Sequence, residues 1–135
     1  SFLGSAPKRG LPGGVATAAG LREKLQAEIK VDNPAGAEAL LNEQVALLDE
    51  AAIAELRYRV AWSYYIENDD VNARRVAGLA RAIAGEWGTQ AEWVHALANW
   101  RLGDHREAFA GFDRVSRIAD NDELRAAALR KAHPT

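Results

Sequence analysis

The chain has 135 residues and a mass of 14.7 kDa, enough for one hydrophobic core and too little for a separate catalytic domain. With 48% apolar residues it is built to fold, and its formal charge of −2 lacks the basic excess of a nucleic-acid binder. Without Cys there is no disulfide framework, thiol nucleophile or zinc ribbon. The three His, at positions 95, 105 and 133, are too scattered to predict a metal cluster, and no apolar run reaches the ~18 residues of a membrane span.

Residues 1–16 carry four Gly and two Pro without a period, and read as a flexible lead-in. The chain begins at Ser1 rather than Met, as a processed chain or a piece of a longer one does. From residue 17 the strong helix formers Ala, Leu, Arg and Glu dominate, and Val and Ile occur singly, which predicts helices and no strands. The first helix is expected over 17–30, with Leu21, Leu25 and Ile29 on one face. Asn33-Pro34 is an N-cap followed by a first-turn proline, and starts a helix running to about Val45. Asp49 caps a long third helix to Glu67. Ile53, Leu56, Val60 and Tyr64 line one side, and Tyr58, Trp62 and Tyr65 the other, so it is expected to lie between neighbours. After the Asn68-Asp69-Asp70 turn comes a helix over 70–84, ended by Gly85. Gly88-Thr89 opens a fifth helix that ends at Gly103, Asp104 caps a sixth over 105–118, and Asn121 caps a seventh over 122–132. The helical domain is thus 17–132, with a tail at 133–135.

At an offset of 35 residues the chain resembles itself. Tyr58 falls on Trp93, Ala61 on Ala96, Tyr65 on Trp100, Asn68-Asp69 on Gly103-Asp104 and Ala73 on Ala108. The alanines let paired helices approach closely, and the aromatics fill the space to the next pair. Repeats of this size mean stacked helical hairpins, close to the tetratricopeptide period of about 34 residues. The fold expected is therefore all-α: antiparallel hairpins in a tetratricopeptide-like, right-handed superhelical solenoid of about seven helices. Residues 122–132 read as the first helix of a third hairpin. Their apolar face, Leu124, Ala126, Ala127, Ala128 and Leu129, calls for a partner, as in a truncated solenoid or through self-association.

The strings Ala61 to Tyr65 (AWSYY) and Trp93 to Gly103 (WVHALANWRLG) resemble the superhelical region of soluble lytic transglycosylases, most closely those of alphaproteobacteria. The resemblance covers about half of the chain and rests on structural motifs. It implies a periplasmic setting and a non-catalytic wall that positions peptidoglycan glycan strands or a catalytic domain. That domain would cleave between N-acetylmuramate and N-acetylglucosamine with formation of a 1,6-anhydro ring. The Glu-Ser pair and the Gly-Leu-Met-Gln motif of the family's catalytic domain are absent, and the sequence holds no Met at all. The alternative is a free-standing adaptor that binds a protein segment, in which case the cytoplasm is as suitable.

The residues that tempt a functional reading are few. Trp62, Tyr65, Trp93 and Trp100 sit at repeat positions and are expected in the inter-helix core rather than under a sugar ring. Trp87 lies between Gly85 and Gly88, off the repeat, and is the aromatic to examine as a loop anchor or a surface contact. Glu67, Asp69 and Asp70 form an acidic run that capping explains better than acid–base chemistry. Arg57, Arg74, Arg75 and Arg101, with Arg59 and Arg81 beside them, make either a solvated face of ion pairs or a surface for a carboxylate-bearing ligand. No catalytic residue, metal ligand or cofactor is assigned.

Overall fold

The computed structural model describes residues 17–134. The lead-in over 1–16 and the last residue of the tail lie outside that range. Seven α-helices follow one another: α1 (Ala18–Lys30), α2 (Pro34–Gln44), α3 (Glu50–Ile66), α4 (Asp70–Ala80), α5 (Glu86–Arg101), α6 (His105–Ile118) and α7 (Asp122–Ala132). A single 3-10 turn, Val45–Leu47, links α2 to α3, and there is no strand among the described residues. Each helix packs against the next, and α3 also packs against α5, the first helix of the following hairpin. The fold is the all-α helical-repeat array that the 35-residue self-similarity predicts.

The caps fix the register. Thr17, Asn33, Asp49, Asp69, Asp104 and Asn121 each accept a hydrogen bond from the backbone N–H three residues on, at 2.8–3.4 Å. Each satisfies a donor that the first turn leaves without an intrahelical partner. The alanines paired by the repeat, Ala61 with Ala96 and Ala73 with Ala108, are fully buried. At the α5–α6 crossing the approach is closer still, since a Cβ on Gly111 would stand 2.9 Å from that of Ala96. Leu56, Val60 and Tyr64 of α3 are buried, with Tyr58, Trp62 and Tyr65 packed around them. The helix is enclosed by α2, α4 and α5, as its two apolar sides require.

The α4–α5 junction departs from expectation. Helix α4 stops at Ala80, four residues early, and Gly85 does not end it. Instead Gly85 is the N-cap of α5, with φ +109° and ψ −178°, a conformation essentially restricted to glycine. Helix α5 then begins at Glu86, so Gly88-Thr89 lies within its first turn and Trp87 is on a helix rather than a loop. The cause is a close approach: a Cβ at Gly88 would sit 1.7 Å from the Ile83 carbonyl oxygen. The chain leaving α4 is folded back onto the first turn of α5, which leaves no room for α4 to continue.

Candidate functional site

The candidate arginines are largely engaged within the molecule. Arg75 of α4 reaches across to α2 and grips both oxygens of Glu38, at 2.6 and 2.7 Å, while the Tyr64 hydroxyl donates to the same carboxylate at 2.8 Å. This fork-to-fork geometry is the strong form of a carboxylate contact. The Arg75 hydrogen bonds hold the Glu38 carboxyl below its ordinary range. Burial, then the bond to Glu38, pushes the Tyr64 hydroxyl up to about 12. Arg101, the last residue of α5, binds Asp70 at 2.6 and 2.8 Å and donates to the Tyr65 carbonyl at 2.5 Å. Its guanidinium carbon lies 3.6 Å from the Tyr65 ring centroid. Arg59 joins Arg22 of α1 on Glu55. Among the described residues Arg57 forms no ion pair.

A polar seam runs along α5, which the sequence reading missed. Glu92, His95 and Asn99 recur at three- and four-residue steps, hence on one face. The Glu92 side chain is only 3% exposed and accepts from Arg114 of α6 at 2.8 Å and from Arg81, the C-cap of α4, at 3.3 Å. Arg74 donates to the Asn99 amide oxygen at 3.2 Å. An arginine can only donate, so the amide nitrogen is left to face His95 Nδ1, also at 3.2 Å, and that ring nitrogen accepts. Burial, reinforced by the Arg81 cation, holds the His95 pKa below its ordinary value. The three- and four-residue spacing of Glu92, His95 and Asn99 was the signal available for this seam.

The aromatics divide. Trp62 stacks on Tyr65 at 5.5 Å along α3, and Trp93 of α5 meets Phe112 of α6 edge-on at 5.4 Å. Trp87 is half-buried against Tyr58 at 5.7 Å, with Arg59 at 5.3 Å from its ring, and closes the small cluster of Ala54, Ala80 and Ala91. Trp100 differs from the expected core position, being 43% exposed. It is bounded by His105, stacked at 4.1 Å, and by Phe109 edge-on at 5.5 Å. Among the described residues no guanidinium covers Trp100 as Arg101 covers Tyr65.

The acidic run is absorbed by structure: Asp69 caps α4, Asp70 holds Arg101 and Glu67 is exposed. His95 and His105 have separate partners, Asn99 and Trp100. No group of three or more His, Asp or Glu among the described residues is placed to hold a metal ion. None of the described helices is long and apolar enough to cross a membrane. Two hollows lie in this half of the array among the described residues. A cleft of about 600 Å³ lies between the α4–α5 and α6–α7 loops and is bordered by Ile83, Glu86, Gln90, Ile118, Asp120 and Leu124. A smaller one of about 270 Å³ adjoins Trp100. Comparison with family models, curated proteins and solved structures returns no match.

Proposed function

We propose that this chain is a non-catalytic helical-repeat scaffold whose task is to hold a surface in a fixed shape for another macromolecule. The observation that supports it best is the use made of its charged groups. Carboxylates at Glu38, Asp70 and Glu92 are gripped by arginines from neighbouring helices, stiffening the stack. Within this reading, the strings Ala61 to Tyr65 and Trp93 to Gly103 favour a role like that of the superhelical region of a periplasmic lytic transglycosylase. There the array would position glycan strands or a catalytic domain, with the chemistry supplied outside this chain. The second reading, a free-standing adaptor for a protein segment, is favoured by the exposed Trp100 and the hollow beside it.

Fractionation of the source cell separates the two. An antibody raised against the domain should detect a periplasmic band several times heavier than 14.7 kDa if the transglycosylase reading holds. A cytoplasmic band near 14.7 kDa would sink that reading and leave the adaptor.

A further inference from the structure

Tyr65 and Trp100 occupy the same position in successive repeats, 35 residues apart. At Tyr65 the ring is covered by the Arg101 guanidinium, which is anchored on the Tyr65 carbonyl and on Asp70. At Trp100 each part of that arrangement changes. His105 stands where the repeat places Asp70, and its ring stacks on the indole instead of binding a cation. Trp100 is left open beside a hollow lined by Phe109, Phe112, Arg130, Lys131 and Pro134.

The chemistry of that lining selects its occupant. Its walls are aromatic, and its only charged groups among the described residues are two cations. Neither Arg130 nor Lys131 forms an ion pair among the described residues. Lys131 Nζ lies 5.8 Å from the Phe112 ring centroid. Asp113, one turn beyond Phe109, is taken by Arg117 at 2.7 Å and faces His133 at 3.8 Å. A space of about 270 Å³ is below the roughly 300–1,000 Å³ that encloses a drug-sized ligand. It suits one large side chain of a peptide. A neutral sugar would use the two cations only as hydrogen-bond donors, carboxylates would pair with their charge as well, and a basic segment would be repelled by them.

We propose that the Trp100 hollow docks an acidic protein segment, with one large apolar side chain against Trp100 and Phe112 and flanking carboxylates on Arg130 and Lys131. This rests on the scaffold reading and names its partner's chemistry. Exposed tryptophan and arginine side chains are the ones that most often concentrate binding energy at an interface.

The test is fluorescence anisotropy with three labelled hexapeptides, EELFEE, KKLFKK and EEGSEE, titrated with the full chain. EELFEE should bind at least about tenfold more tightly than either of the others, a difference of about 1.4 kcal/mol. Its affinity should fall as salt rises. Trp100→Ala should weaken it by about tenfold or more, and Arg130→Glu with Lys131→Glu should reverse the preference towards KKLFKK. Arg130 and Lys131 are exposed, so this charge reversal leaves the core intact, and circular dichroism verifies that each variant is folded. Equal binding of EEGSEE, a preference for KKLFKK by the parent chain, or no effect of either variant would overturn the proposal. So would a dimer in sedimentation that Trp100→Ala dissolves, since a second copy would then own the face. None of these results bears on the compartment and native size that decide the transglycosylase reading.

Discussion

Glu92 offers a test in which two ways of breaking one cluster should give opposite results. Its carboxylate is 3% exposed, whereas Arg81 and Arg114 are 33% and 51% exposed. At 2.8–3.3 Å and an effective dielectric near 20, each attraction is about 5–6 kcal/mol before desolvation. Burying the carboxylate costs several kcal/mol, so the cluster as a whole contributes little net. Glu92→Met removes the buried charge, keeps much of the volume and leaves two arginines that can turn to water. Its unfolding free energy should stay within about 1.5 kcal/mol of the parent. Arg81→Met with Arg114→Met strands the carboxylate beneath apolar side chains and should cost about 3–5 kcal/mol. Losing the second arginine should cost more than losing the first, because one remaining cation still satisfies the charge. Urea unfolding followed at 222 nm measures all four variants. If Glu92→Met is as damaging as the double arginine variant, the buried carboxylate is not the costly partner and the argument fails.

Three further outcomes follow from the same geometry. His95 has a lowered pKa, so between its ordinary value near 6.5 and the lower folded value the unfolded chain binds a proton that the folded chain does not. Stability should therefore fall as pH drops below about 6.5, by no more than about 1.4 kcal/mol per pH unit from this group. His95→Gln should flatten that part of a stability–pH profile, and an unchanged slope would assign it elsewhere. Gly88→Ala forces a Cβ onto the Ile83 carbonyl and should cost about 3 kcal/mol, the upper end for overpacking. Gly85→Ala meets no neighbouring atom within 4 Å and carries only the conformational cost of its φ of +109°, about 1–2 kcal/mol. A melt that ranks Gly85→Ala as the worse of the two would contradict the wedge at Gly88. Gln44 is buried with its Nε2 unpartnered, so Gln44→Met should raise the unfolding free energy by about 1–2 kcal/mol, and a loss in urea titration would reveal a partner for that amide.

The helices were legible because their starts are written locally. Asn33-Pro34, Asp49, Asp69, Asp104 and Asn121 are short polar side chains that reach a first-turn N–H whatever the rest of the chain does. The repeat was legible because close helix packing demands small residues at fixed intervals, and Ala61 and Ala96 are fully buried as that demand requires. The α4–α5 junction was not. A glycine after a helical run marks a C-terminus as readily as an N-cap, and only the contact between Gly88 and Ile83 decides between them. The candidate surface was less legible still. Sequence brings Arg74, Arg75 and Arg101 to notice, but not that Asn99, Glu38 and Asp70 lie within reach, since each pairing spans 25 or more residues. Trp100 was misplaced because the repeat assigns its position but not what faces it: Arg101 lies over Tyr65, and no described cation lies over Trp100.

Repeat arrays are held mainly by contacts between neighbours, so they are prone to melt piecemeal from their ends. The shared carboxylates work against this. Glu38 on α2 receives donors from α3 and α4 at once, and Glu92 on α5 receives them from α6 and from the end of α4. Peeling α6 away would therefore weaken the electrostatic support of a group lying against α4, two helices back. The hairpins α3–α4 and α5–α6 are thereby tied to one another, and α7 contributes no donor to either carboxylate.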